Sequence, residues 1–352
     1  MKNYAYNHKP IPFDFEQTVD RFFVEEIPLF PFTQSGHNLI LKIKKQDMST
    51  WKLIHVVSKA TGLSEREIGY AGLKDKNATT IQYISIPKSS QKSLKHITTD
   101  KIEILEQSYN KASLKIGHLK GNKFSIILNN VTTQGAKEIE KVSTQMAQYG
   151  IPNYFGYQRF GEDNRSYLQG KDIAHSGKRL KGAKEKLLVA SYQGHLFNSW
   201  LSKRIHISAN FKKLSYPKEL ENILSQEPQF FKLFMGDLMM PYPYGKHSFV
   251  KEMLPSSELF AKGKMAPTGL ICGSHSARSQ NDAYYLEEPY DDAELTSLKG
   301  DRRFAWIWPE DLSTKYNDAS RQLTIEFYLP KGSYATTFLE EIAKKDLSGY
   351  GV

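Results

Sequence analysis

Gly69-Tyr70-Ala71-Gly72-Leu73-Lys74-Asp75-Lys76-Asn77-Ala78-Thr79-Thr80 runs directly into an apolar stretch from Ile81 to Ile86. One carboxylate, Asp75, stands between two lysines, just after two glycines. Glycine permits a tight turn or the close approach of another backbone. Lys74 and Lys76 favour the ionised carboxylate wherever their ammonium groups lie close to it. The pattern describes a fixed, charged aspartate on a loop that enters a strand. A salt-bridged turn has the same local signature.

Outward from this loop the elements are mixed. Asn38 to Lys45 alternates, with Leu39, Leu41 and Ile43 on one side and Lys42 and Lys44 on the other, which is a half-buried strand. Thr50 reads as the N-cap of a helix whose apolar face carries Trp51, Ile54 and Val57 and which stops at Gly62. Ser64 and Glu67 have capping-box spacing. Further strands are expected at Ile81–Ile86, Ala112–Ile116 and Lys123–Leu128, then a helix from Gly135 to Tyr149 ended by Gly150. Strands and helices do not alternate strictly. An α+β domain with a mixed, largely antiparallel sheet is expected rather than a doubly wound one.

The middle of the chain differs. Lys171, Lys178, Arg179, Lys181, Lys184 and Lys186 form a basic run, followed by a helical stretch from Leu187 to Arg204. Short elements and prolines fill Glu219 to Asp292. Strand-like alternation resumes at Phe304, Trp306 and Trp308 and again from Leu323 to Leu329. The reading is a first domain of residues 1–176 and 304–352, with an inserted second α+β domain at 177–303. No internal repeat or heptad pattern interrupts it.

Composition narrows the function classes. The 352 residues carry 48 Lys and Arg against 38 Asp and Glu, a formal charge of +10 that suits a polyanionic partner. The 20 tyrosines and 19 phenylalanines include more rings than a stacking site needs, so most of them fill cores. Cys272 alone forms no internal disulfide and no thiolate zinc cluster, and the histidines lack metal-ligand spacing, so no metal is expected. Met1 to Phe15 lacks the charge and apolar pattern of a signal peptide, and no apolar run has membrane-spanning length. A soluble, cytoplasmic protein with no membrane contact is the expectation.

Two more constellations carry chemistry. Asn153-Tyr154-Phe155-Gly156-Tyr157-Gln158-Arg159-Phe160-Gly161 places an amide, aromatic rings and an arginine between glycines. Asn153 can donate and accept at the edge of a base, Phe155 can stack on one, and Arg159 can pair with a phosphate or with Asp75. An aromatic turn with a structural arginine is the local alternative. Phe327-Tyr328-Leu329-Pro330-Lys331-Gly332-Ser333-Tyr334-Ala335-Thr336 reads as strand, turn and helix start.

These segments resemble, in order, three motifs of the TruD family of tRNA pseudouridine synthases. Ala71, Gly72, Lys74, Asp75, Ala78 and Thr80 fit A-G-x-K-D-x-x-A-x-T. Asn153 to Gly161 fits N-x-F-G-x-Q-R-F-G at every defined position, and Phe327 to Thr336 fits F-x-L-P-x-G-S-[FY]-A-T. Phe22-Phe23-Val24-Glu25-Glu26 resembles the family's F-x-V-x-E, with Phe22 and Val24 also readable as the inward face of an edge strand. Weaker matches include Gly36-His37, Lys120 to Phe124, Leu196-Phe197-Asn198 and Gly300 to Arg303.

The resemblance implies a pseudouridine-synthase-like catalytic domain, an RNA-gripping insertion forming a cleft with it, and isomerisation of uridine-13 in tRNA. It implies Asp75 as nucleophile, Phe22, Asn153, Phe155 and Phe327 against the substrate, and Lys74, Lys76 or Arg159 as charge partner. The isomerisation imports no group and oxidises nothing, so no cofactor is expected. The partner is tRNA, and the chain is taken as a monomer. Many family members place a basic residue several positions before F-x-V-x-E, where Glu16 and Gln17 stand here, so the cation partner of Asp75 is left open. An RNA-binding protein without catalysis and a hydrolase of free uridine are the rival classes.

Overall fold

The computed structural model describes residues 2–161, 163–295 and 298–348. The strands are β1 (Phe22–Pro28), β2 (Asn38–Gln46), β3 (Gly69–Tyr70), β4 (Thr79–Pro87), β5 (Ile102–Asn110), β6 (Leu119–Leu128) and β7 (Ile151–Pro152). They continue as β8 (Leu238–Pro241), β9 (Ser248–Phe249), β10 (Met265–Ile271), β11 (Asp301–Phe304), β12 (Trp306–Ile307), β13 (Glu310–Asn317) and β14 (Gln322–Pro330). The helices are α1 (Thr50–Thr61), α2 (Thr133–Tyr149), α3 (Ser166–Ala174), α4 (Ala183–Asn210), α5 (Lys218–Gln226), α6 (Met253–Ala261), α7 (Asn281–Glu287) and α8 (Ala335–Ala343). The fold is α+β, as expected. It divides into two compact units, one drawn from Pro12–Glu140 and Glu310–Gly332, the other from Met1–Ile11, Lys141–Pro309 and Ser333–Gly349. The second unit takes in more than the 177–303 segment because β7 pairs with β12 and Tyr154 shares a core with Phe197 and Trp306.

The first unit is a mixed sheet ordered β13-β14-β6-β1-β4-β2-β5, with β3 added against β4. β1 and β4 run parallel, Phe23 beside Thr79, whereas β2–β4, β2–β5, β1–β6, β6–β14 and β13–β14 are antiparallel. Parallel neighbours require a long crossover, and β2, α1 and β3 supply it. Leu39, Leu41 and Ile43 of β2 pack on Leu53, Ile54 and Val57 of α1.

Several local expectations change. The cap of α1 is Ser49, whose extended backbone lets its hydroxyl accept from Lys52 N–H, and Thr50 is already helical. Trp51 lies off the buried stripe and is 56% exposed, edge-on to Tyr70. Gly62 ends the helix at φ +73, as its freedom from a Cβ allows. Ala112–Ile116 is not a strand: its backbone turns toward Gly117 and Leu114 N–H bonds the Ser85 hydroxyl. β1 is an inner strand between β6 and β4 rather than an edge.

The second unit centres on α4, 28 residues long. Its Phe197, Trp200, Leu201 and Ile205 enter a core shared with Phe231, Phe260 and Trp306. A sheet ordered β11-β10-β8-β9 packs there, and β7 pairs separately with β12. Gly269 in β10 has no substitute, because a Cβ would lie 2.2 Å from the Trp200 ring. Arg204 extends from α4 into the interior and grips Asp237 through two hydrogen bonds of 2.7 Å, with both side chains almost wholly buried. Removing one partner of a buried ion pair strands the other charge. Arg204→Ala is therefore expected to cost about 3–5 kcal/mol, read as a lowered denaturant midpoint. An unchanged midpoint would show that Asp237 finds other compensation.

Candidate active site

The Asp75 loop hangs between β3 and β4 and is anchored at two points. Lys74 N–H donates to the Thr50 hydroxyl at 2.9 Å, and that hydroxyl donates to Gln82 Oε1 at 3.0 Å. Lys45, the last inward residue of β2, donates from Nζ to the carbonyls of Met48 and, at 3.2 Å, of Asp75. Asp75 is half-buried. Burial pushes its carboxyl above the ordinary range, while Lys45 and Lys74 pull it back down. The Lys45 side chain is fully buried, and its ammonium is pushed down to about 8 by burial, with the Asp75 charge opposing and the Lys74 charge adding.

The two named lysines of the loop behave differently. The Lys74 ammonium forms a buried ion pair with Glu26, 2.6 Å away at the end of the Phe22-Val24-Glu26 row of β1. Lys76 is exposed, and its charge acts on Asp47. Sequence reading missed Lys45, and it placed Glu26 in the F-x-V-x-E match without giving it a role. Both carried a usable signal, being charged residues at inward positions of alternating strands.

Phe22 and Phe327 belong to a ring ladder. Phe327 stacks on Phe124 at 5.5 Å, Phe124 meets Phe22 at 6.1 Å, and Phe22 meets Phe15 edge-on at 5.9 Å. Strand register produces it, since Phe327 sits opposite Phe124 and Phe124 opposite Val24. Phe22 and Phe327 are each 1% exposed. Thr79 registers against Phe23, so the chain leaving the Asp75 loop enters β4 at the Phe22 end of β1.

The other unit holds Asn153, Phe155 and Arg159. The Asn153 amide donates to Phe304 carbonyl at 2.9 Å, and its Oδ1 accepts from Arg303 at 3.0 Å. Asn153 is 3% exposed, and both bonds fix its amide within this unit. Asn198 of α4 clamps Phe155 by its backbone, accepting from its N–H at 2.8 Å and donating to its carbonyl at 2.9 Å. The Arg303 guanidinium lies 4.0 Å from the centre of the Phe155 ring and that of Arg159 5.2 Å from it. Burial pushes Arg303 down to about 10. Arg159 donates from Nη2 to Ala190 carbonyl at 3.1 Å, while its buried Nε has no hydrogen-bond partner among the described residues. Arg303 is a further residue that motif reading left with the fold, although Gly300 to Arg303 carried the signal.

Lys171, Lys178, Arg179, Lys181, Lys184 and Lys186 are all exposed, and most lie on the connection from α3 to α4 or at its ends. Among the described residues no group of three or more His, Cys, Asp or Glu is placed to hold a metal. No helix among them is long and apolar enough to cross a membrane.

The Glu26–Lys74 pair makes a direct prediction. Glu26→Ala leaves the Lys74 ammonium buried and unpaired, and is expected to cost about 3–5 kcal/mol. Adding Lys74→Met should recover most of that loss in a double-mutant cycle. Additive losses would show that the two side chains are not coupled.

Similarity to known proteins spans nearly the whole chain. The family model for tRNA pseudouridine synthase D (TruD) matches residues 1–177 and 164–342. The protein named tRNA pseudouridine synthase D in a Nitratiruptor species is 43% identical over 354 residues, spanning 97% of this chain and 98% of that one. Its namesake in Wolinella succinogenes is 39% identical over 355 residues, with 98% of each chain covered. A crystal structure from Methanosarcina mazei that carries the TruD name aligns with a TM-score of 0.71 at 22% identity, covering 98% of this chain and 97% of that one, a likeness of fold.

Proposed function

This chain belongs to the tRNA pseudouridine synthase D family, and we propose that it isomerises uridine-13 of tRNA to pseudouridine without a cofactor, using Asp75. The observation that carries the reading is the anchored Asp75 loop, held at the Asp75 carbonyl by buried Lys45 and at Lys74 N–H by Thr50, where burial raises the Asp75 carboxyl against two lysine charges. Burial leaves the carboxyl poorly solvated, and the lysine charges favour the ionised form, which is the one that acts as nucleophile or base. In the reaction the C1′–N1 bond breaks, the uracil turns, and a C1′–C5 bond forms. The C5 proton leaves to solvent and N1 gains one, so atoms and charge balance with nothing imported.

The proposed division of labour follows the residues. Asp75 attacks the sugar or deprotonates it. By the family resemblance Phe22, Phe327, Phe155 and Asn153 are assigned to the substrate, with Phe22 and Phe327 buried in the first unit and Asn153 in the second. Arg159, with its Nε uncommitted, is assigned to a phosphate. The target base must leave its stack, at a cost of roughly a few kcal/mol. A stacked ring returns about 1–3 kcal/mol per base. The segment 177–303, entered by the exposed basic run, is proposed to grip the RNA backbone of a monomeric, cytoplasmic enzyme.

Asp75→Asn is expected to abolish tritium release from C5-labelled uridine in tRNA while tRNA binding persists. Surviving turnover would remove Asp75 from the chemistry. Because burial raises this carboxyl, the ionised form is the one the fold disfavours. Its contribution to stability is full at low pH and is lost as pH rises through the folded value. The neutral D75N variant should therefore unfold at neutral pH at a midpoint no lower than that of the parent chain. Pseudouridine mapping in tRNA from cells lacking the protein, before and after it is restored, tests the position.

Replacing Lys178, Arg179 and Lys181 together by Ala should weaken tRNA binding and flatten its salt dependence. The slope of log K against log salt should shrink by about 0.7–0.9 for each phosphate that is no longer neutralised. An unchanged slope would make this run an ordinary solvated surface.

A further inference from the structure

We propose that Lys45 is the positioning residue of the Asp75 site, holding the loop by the Asp75 carbonyl and supplying the charge that keeps the Asp75 carboxylate ionised. The inference deepens the reading of Asp75 given above and rests on it. Along β2 the inward positions are Leu39, Leu41, Ile43 and then Lys45, so a cation stands where the strand pattern calls for a hydrophobe. Its two acceptors among the described residues are both backbone carbonyls, those of Met48 and Asp75. Carbonyl dipoles leave the unit charge of a buried ammonium largely uncompensated.

The other charged groups around it are already committed. Lys74 is bound to Glu26 at 2.6 Å and acts on the Asp75 carboxyl second to Lys45. Asp47, two residues beyond Lys45, is bound to Lys101 at 2.7 Å. Lys76 is exposed and bears on Asp47. Lys45 holds the Asp75 backbone carbonyl at 3.2 Å, and it heads the cations acting on the Asp75 carboxyl, with Lys74 second. Burial disfavours the ammonium where it stands, so fold stability does not account for a lysine there. A methionine has similar length and no charge.

The test is the pH dependence of tritium release by K45M and K45R beside the parent chain. With Lys45 neutralised, the larger of the two lysine charges opposing burial at Asp75 is gone. The acid limb of kcat should then move to higher pH in K45M. Below that limb, turnover should fall about tenfold for each unit of movement, with KM for tRNA little changed. K45R should keep the limb near its original place. A structural lysine would instead lower the unfolding midpoint and reduce turnover evenly across pH.

An unmoved acid limb in K45M, with D75N inactive, overturns this inference alone. Turnover surviving in D75N overturns the aspartate reading and this inference with it. Should K45M fail to fold, carbon NMR of the Asp75 carboxyl in the parent chain still decides. A second inflection as Lys45 titrates near pH 8 supports the coupling, and a single inflection overturns it.

Discussion

Charge compensation beneath the β-sheet sets the terms for the rest of this unit. Two ammonium groups and two carboxylates, from Lys45, Lys74, Glu26 and Asp75, lose solvent around one loop. Each alone would be strongly destabilising, and the desolvation is offset only where opposite charges face one another. β1 must therefore be an inner strand, since an edge would leave Glu26 wet. β1 pairs with β4 in parallel, and the Asp75 loop is the last segment of the crossover between them. Glu26 pairs with Lys74, and Lys45 and Lys74 both act on Asp75, Lys45 the more strongly.

The second unit solves a different problem, the rigid presentation of an aromatic ring. Asn198 fixes the Phe155 backbone from both sides, and Arg303 lies 4.0 Å from the centre of its ring. Arg303 also holds Asn153, so one guanidinium sets two of the residues assigned to the substrate. This economy explains why the motif around 153–161 packs two glycines among large side chains: Gly156 leaves room for Tyr334 and Thr336.

Much of this was legible in the chain itself, and the failures have physical causes. The alternation of β2 and the Gly62 and Gly150 stops were readable because local geometry dictates them. β5 escaped notice because it is an edge strand with long polar stretches and little burial. Ala112–Ile116 imitated a strand, yet a turn at Gly117 and a bond to Ser85 decided its path. Lys45 hid inside Lys44-Lys45-Gln46, which reads as the polar exit of a strand. Only the position of its neighbours shows that it points inward. The Glu26–Lys74 pair joins residues 48 positions apart, beyond the reach of any local pattern.

The C-terminal strand pair of the sheet has a cost in time. β14 seats Phe327 against Phe124, about 200 residues earlier in the chain. While the chain is being made, β6 therefore waits with one flank of its backbone unpaired, and residues 141–309 of the second unit are synthesised in the interval. Open strand edges recruit other chains, and late long-range pairing lengthens their exposure. A nascent chain cut short before residue 322 would keep that edge permanently, so premature termination here yields a sticky species rather than a merely inactive one.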